Sequence, residues 1–354
     1  MHGIQKILDI PRTLRETLEK GKAEYPEVIR QTRWGEGPIY ISACGASAHV
    51  GLVGAYAFES LLGRPVVVRT PLVFQNYSYS LLEPRSVLLV ISASGDDPEV
   101  AELARLAHSR HATLLALTSN PAGLLAKSAQ GVFLTQPASP EDTPATAASQ
   151  HVALTYLAWL AAETLKRPSR QLTSCGEEFE KLPTHADWAC IHLADAIRAL
   201  ASELRSQQGL WVAGNGFYHG VALQYARRFR ELVGVLAAGM EVTEFVRESW
   251  PKDFHKEAVL LLSGSRSNLK KAVHEAAAKA RTAGIRVFSV TDPNDRELSE
   301  RSDLAVLTPS LLEITHSTLI LMLAEWLGVE AARQKEQDQR SSPLNPRPPT
   351  VQRS

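Results

Sequence analysis

The sequence predicts an α/β protein made of two tandem modules, each a five-stranded parallel sheet flanked by helices. Two observations carry that prediction. A strand–glycine–helix unit occurs twice: PIYISA (38–43) runs into CGASAHVG (44–51), and GLWVA (209–213) runs into GNGFYHG (214–220). Each copy then continues as short apolar runs separated by helical patterns, the order expected of βαβ crossovers. Runs such as VLLVIS suit strands covered on both faces. A repeated unit of this kind places a ligand-sized crevice where strand hands over to helix.

In chain order, residues 1–35 read as a helical arm. The first module, 36–166, has strands at 38–43, 65–69, 86–92, 112–118 and 131–135, with helical patterns at 48–62, 98–108 and 145–165. KRPSRQ opens a linker region, 167–207, that holds a connecting helix at 188–206. The second module, 208–335, has strands at 209–213, 233–237, 257–263, 285–291 and 304–308, then a helix at 313–333. The tail, 336–354, ends in SSPLNPRPPTVQRS, with too much proline for a helix and too few apolar residues for a core, and reads as flexible.

Composition excludes several classes. The 354 residues balance 38 basic against 38 acidic side chains and contain no basic run, so neither nucleic acid nor an anionic membrane is an expected partner. The three cysteines, Cys44, Cys175 and Cys190, have no metal-like spacing, and their odd count argues against a disulfide framework. The start of the chain lacks a signal-peptide apolar region, and the apolar stretch 318–329 contains Glu325 and is too short to span a bilayer. A cytoplasmic protein is expected, with neither metal nor cofactor: no HxxxH or HExxH pairing occurs, and the glycines do not form GxGxxG. No GxSxG elbow is present.

Three segments carry candidate chemistry. In Cys44-Gly45-Ala46-Ser47, a glycine after a buried strand lets backbone approach a ligand, and the next helix offers free N–H groups. Its alternative is a tight turn with Ser47 as helix cap. After the third strand comes Ser92-Ala93-Ser94-Gly95-Asp96-Asp97, a second hydroxyl-bearing loop at a strand's carboxyl end. Together the two loops make a phosphate or polyol cradle. Asp97, before Pro98, reads as an N-cap, and its carboxylate opposes a phosphate at that helix end. In VALQYARRFRE (221–231), Arg228 and Glu231 share a helix face at i, i+3, either as a surface ion pair or as a general base beside a cation.

CGASAHVG, ISASGDDPE and the two-module layout resemble the sugar isomerase (SIS) family of phosphosugar-binding proteins. The likeness is strongest to the isomerase half of glucosamine-6-phosphate synthase and to free-standing fructosamine-phosphate deglycases and amino-sugar-phosphate deaminases and isomerases. It implies two flavodoxin-like αβα sandwiches, a sugar or amino-sugar phosphate as ligand, and a homodimer with sites at the interface. No cysteine follows Met1, so glutamine amidotransferase chemistry is not implied. Carried over residue by residue, Cys44, Gly45, Ala46 and Ser47 stand on the family's Cys-Gly-Thr-Ser loop. Ser92, Ala93, Ser94 and Asp97 stand on its Ser-Gln-Ser loop and the hydroxyl that ends it. Thr146 stands on the serine of the family's Ser-Thr pair, and Ala147 on its threonine.

In the second module Glu231 falls on the family's general base and Arg228 on a lysine of that site. Glu244 matches the glutamate of the family's Glu-x-x-His-Gly-Pro, but Arg247-Glu248-Ser249 replace the rest. An arginine does not shuttle protons near neutral pH. His255 is the nearest candidate to replace the lost histidine. The family's C-terminal lysine has no counterpart in the tail. The resemblance therefore implies aldose–ketose isomerisation, deamination or deglycation through an enediol-type proton transfer. The alternatives are a non-catalytic sugar-phosphate sensor that kept the fold and, less well supported, a structural partner with a vestigial crevice.

Overall fold

The computed structural model describes residues 2–32, 34, 36–136, 143–167, 172–250 and 256–341. Ten strands form two five-stranded sheets in which every pairing is parallel. The first contains β1 (Ile39–Ser42), β2 (Val66–Arg69), β3 (Val87–Ile91), β4 (Thr113–Thr118) and β5 (Gly131–Leu134), in the spatial order 2-1-3-4-5. The second contains β6 (Gly209–Ala213), β7 (Leu236–Met240), β8 (Glu257–Leu262), β9 (Arg286–Thr291) and β10 (Leu304–Leu307), in the equivalent order 7-6-8-9-10. The repeat seen in the sequence is therefore a repeat of topology.

The apolar runs have a direct packing consequence. Val87, Leu89 and Ile91 of β3 face one core, which continues into the second module through Leu210, Val212 and Leu260. Leu88 and Val90 face a separate outer core with Leu114 and Ala116. Val259 and Leu261 of β8 do the same on the far side. Each sheet is thus covered on both faces, and one core joins the modules.

That shared core is built from helices. Gly45–Leu62 and Pro144–Thr164 of the first module pack against Phe217–Arg228 and Glu313–Ser341 of the second. Helix Pro144–Thr164 is buried nearly all round, so it has no polar face. Where Gly45–Leu62 meets Phe217–Arg228, a Cβ on Gly220 would lie 2.3 Å from the backbone oxygen of His49. Gly220→Ala is therefore expected to cost about 1–3 kcal/mol through forced separation of the helices. The check is a urea titration, and an unchanged midpoint would refute it.

Several element bounds differ from the sequence expectation. The strand expected at 233–237 begins at Leu236. The preceding helix instead continues through a π turn, Phe229–Val233, and stops at Gly234 (φ 75°), so Val233 anchors a helix end. The linker holds two helices, Leu172–His192 and Ala194–Arg205, where one was expected. The arm is also two helices, His2–Leu8 and Ile10–Gln31, with Pro11 in the first turn of the second, where a missing N–H costs nothing. The last helix runs to Ser341, past the boundary expected at 335, because 334–341 contain no proline or glycine to stop it. The proline-rich remainder of the tail lies outside the described residues. Among the described residues, no helix is long and apolar enough to cross a membrane.

Candidate functional site

In a 2-1-3-4-5 sheet the crossovers after β1 and β3 leave on opposite faces, which opens a crevice at their carboxyl ends. A cleft of roughly 190 Å³ lies there. Cys44, Gly45, Ala46 and Ser47 line it from the loop after β1, Ser92, Ala93, Ser94 and Asp97 from the loop after β3, and Thr146 from helix Pro144–Thr164. The structure thus brings together nine residues that the sequence places far apart. Gly45 makes the first turn possible: it sits at φ 56°, a conformation that side chains rarely adopt. Ser47 does not cap its helix.

Gln150 and Arg227 also line the cleft and were not expected there. Ser47 Oγ donates to Gln150 Oε1 at 2.8 Å. Gln150 is 2% exposed, and its Nε2 has no hydrogen-bond partner among the described residues. Its signal in the sequence was its spacing, one helical turn after Thr146 on the same face. Arg227, rather than Arg228, reaches the cleft. Its Nε donates to Glu231 Oε1 at 2.6 Å, an i, i+4 pair that the i, i+3 reading passed over.

Asp97 occupies the N-cap position, yet its side chain caps nothing. It turns back into the loop instead, where Ser92 Oγ donates to its Oδ2 at 2.7 Å and Ser94 Oγ lies 3.5 Å from the same oxygen. Within that loop, Gly95 N–H donates to Ser92 Oγ at 3.0 Å and Asp96 N–H to Ser94 Oγ at 3.4 Å. The Cys44 thiol is held above its ordinary pKa, first by partial desolvation and then by the Asp97 and Glu99 carboxylates. It therefore stays protonated and is a poor nucleophile.

The remaining expected residues lie elsewhere. Glu231 sits on the π turn, half exposed, 3.3 Å from Arg228 Nη1 as well as bonded to Arg227, so it reaches the cleft through Arg227. Arg228 is buried, and its Nε donates to the fully buried Glu325 at 2.6 Å. Glu325 Oε1 also accepts from Gln224 Nε2 at 2.7 Å, and Gln224 Oε1 lies 2.9 Å from His49 Nδ1. Arg228 therefore ties two helices together. Glu244 is exposed, pairs loosely with Arg247 at 3.6 Å and does not line the cleft. His255 lies outside the described residues. Among the described residues, no group of three His, Cys, Asp or Glu side chains could hold a metal ion.

In the second module, buried side chains are hydrogen-bonded to one another near the corresponding strand ends. Tyr218 Oη lies 2.8 Å from His316 Nδ1, and Thr308 Oγ1 lies 2.6 Å from His316 Nε2, tying the helix after β6 and the end of β10 to the last helix. A Cβ on Gly264, in the loop after β8, would lie 2.9 Å from His316. Gly216 nevertheless keeps the φ of 56° seen at Gly45.

The first module, with the hydroxyl-bearing cleft at its switch point, matches the SIS domain family over residues 34–163. This segment is a SIS domain. The second module repeats its sheet order, so the chain is built from two tandem modules of the same topology. The chain is 27% identical over 237 residues to the glutamine–fructose-6-phosphate aminotransferase (isomerizing) of Clostridium tetani, covering 66% of this chain and 38% of that enzyme. It is 24% identical over 352 residues to the enzyme of the same name from Symbiobacterium thermophilum, covering 95% of this chain and 56% of that one. The chain thus spans about half the length of these relatives or less. In fold, the chain superposes on the C-terminal domain of glucosamine-fructose-6-phosphate aminotransferase from Francisella tularensis with a TM-score of 0.84, at 16% identity, covering 95% and 97% of the two chains. It superposes on tagatose-6-phosphate ketose/aldose isomerase from Escherichia coli with a TM-score of 0.76, at 16% identity, covering 95% and 94%.

Proposed function

We propose that the cleft binds a carbohydrate derivative and that Glu231 moves a proton at the carbon next to its carbonyl or imine. That is the chemistry of aldose–ketose isomerisation and of amino-sugar deamination or deglycation. The observation that carries this reading is the cleft itself: hydroxyls of Ser47, Ser92, Ser94 and Thr146 line its wall, and Arg227 joins it to Glu231. In such a step the carboxylate takes the proton from the substrate carbon next to the carbonyl, which leaves an enediol, and returns it to the neighbouring carbon. The guanidinium of Arg227 lies where it can stabilise the negative charge that develops on the oxygen. The relatives' names, an isomerizing aminotransferase and a ketose/aldose isomerase, describe the same kind of proton movement.

The test is proton NMR in D₂O with fructose 6-phosphate, glucosamine 6-phosphate, a fructosamine 6-phosphate and their unphosphorylated forms. Deuterium is expected to enter at the carbon next to the carbonyl or imine, or the amine to be released. Glu231→Gln should slow this at least about a hundredfold while leaving binding nearly intact. Exchange that persists in Glu231→Gln would remove this residue as the base.

A second reading, a sugar-binding sensor without turnover, is favoured by one observation: both carboxylate oxygens of Glu231 already face guanidinium groups. Tight binding with no exchange in the unsubstituted protein would select it. A homodimer with sites at the interface belongs to either reading, and a monomeric mass at micromolar concentration would count against it.

A further inference from the structure

The hydrogen-bond inventory of the cleft goes further than its outline. A serine hydroxyl has one proton to donate. Ser47 spends its proton on Gln150 Oε1 at 2.8 Å, and Ser92 spends its proton on Asp97 Oδ2 at 2.7 Å. Ser94 lies between Ser92 and Asp97, 3.5 Å from each. Two amides of the turn after β3, those of Gly95 and Asp96, are committed to the same serines. In the loop after β3 the serine hydroxyls are thus turned onto a carboxylate that the chain supplies itself, and Arg227, the cation of the cleft, is paired with Glu231. Asp97 is fixed by those contacts, and it does not cap the helix it precedes. Its negative charge is felt in the cleft, where with Glu99 it helps keep the Cys44 thiol protonated.

The opposite wall has the complementary character. Gln150 is buried and lines the cleft, and its Nε2, buried beneath the wall, has no partner among the described residues. A buried amide donor left in this way marks a place for an acceptor. We propose that the cleft takes a carbohydrate derivative that carries no phosphate, presenting a hydroxyl or ammonium donor to Asp97 and an oxygen acceptor to the Gln150 amide. This rests on the reading of the cleft as a carbohydrate site and names the class of ligand within it. A phosphate dianion in the same loops would meet the like charge of the Asp97 carboxylate. An amino sugar or a polyol meets an acceptor there.

The experiment is isothermal titration calorimetry of the full chain with glucosamine and with glucosamine 6-phosphate, using the unsubstituted protein, Asp97→Thr and Gln150→Leu. The unsubstituted protein is expected to bind glucosamine at least tenfold more tightly than its 6-phosphate. Asp97→Thr exchanges the acceptor for a hydroxyl donor and is expected to shift the ratio toward the phosphate ester by at least tenfold. Asp97→Asn keeps the side-chain shape, and guards against a folding defect in the threonine variant by shifting the ratio in the same direction. Gln150→Leu should weaken glucosamine binding at least fivefold. Equal or tighter binding of the 6-phosphate by the unsubstituted protein would overturn the proposal while leaving a carbohydrate site in place. Binding of neither compound to any of the folded proteins would remove the carbohydrate reading and the proposal with it.

Discussion

Glu325→Ala is expected to lower the unfolding free energy by about 3–5 kcal/mol, because it leaves a buried guanidinium without its main counter-charge. Glu325 is fully buried on the last helix, and Arg228 Nε approaches it at 2.6 Å from the helix after β6. Gln224 holds the second carboxylate oxygen at 2.7 Å and continues to His49 on the first module's first helix. The carboxylate therefore joins three helices of the shared core. Removing it also orphans the Gln224 amide, which adds to the loss. The paired replacement Arg228→Met with Glu325→Leu should recover most of the stability, since filling such a site with apolar atoms avoids desolvating two charges. Chemical denaturation of the two single variants and the pair forms a double-mutant cycle. A single variant within about 1 kcal/mol of the parent protein would show that the pair is not the tie described, against the expected 3–5 kcal/mol.

Acidification should destabilise the fold well before its carboxylates titrate. Burial pushes His151 down from an ordinary value of 6.5 to about 3 and His316 to about 4. His49 shifts the same way, chiefly through desolvation, against the opposing bond to Gln224. Both fully buried rings are neutral in the folded protein and bind a proton once it unfolds. Below pH 6.5 the unfolded chain therefore holds more protons than the native one, and stability falls as pH falls. The contribution is whole above pH 6.5 and is lost progressively on the way down to pH 4 and then 3. At pH 5 each ring costs about 2 kcal/mol relative to pH 8, so the two together cost about 4 kcal/mol. Urea titrations at pH 8 and pH 5 measure this difference. A double variant, His151→Leu with His316→Gln, should be less stable at pH 8 yet show a much smaller drop to pH 5. An unfolding midpoint that is flat between the two pH values in the parent protein would rule the effect out.

The fold was legible because strand and helix patterning is local. VLLVI is short and β-branched at both ends, which marks a strand covered on both sides, and the repeated glycine turns announced the duplicated topology. The cleft's loops were legible for the same reason, since the carboxyl ends of β1 and β3 follow from the strand order. What the sequence concealed was side-chain direction. Asp97 before Pro98 has every mark of a helix cap, and only the three-dimensional turn shows it facing Ser92. Arg227 and Arg228 are adjacent in sequence, yet one reaches the cleft and the other a buried carboxylate that lies 97 positions away along the chain. Gln150 sits in a run of small residues that reads simply as a buried helix. The strand expected at 233–237 failed because a π turn adds residues that a 3.6-residue period does not count.

The Tyr218–His316–Thr308 chain has a consequence for how the two halves can change over time. Both begin from the same left-handed glycine turn, but in the second half a buried tyrosine and a buried histidine are hydrogen-bonded near the strand ends. Ser47, Ser92 and Asp97 line an open cleft, so on the proposed function substitutions there act on what is bound more than on the architecture. Substitutions at Tyr218 and His316 break buried hydrogen bonds and so act first on stability. An engineer could therefore graft new loops after β1 and β3 of the first copy while leaving the Tyr218–His316–Thr308 chain of the second, and the helix that carries Arg227 to the cleft, untouched.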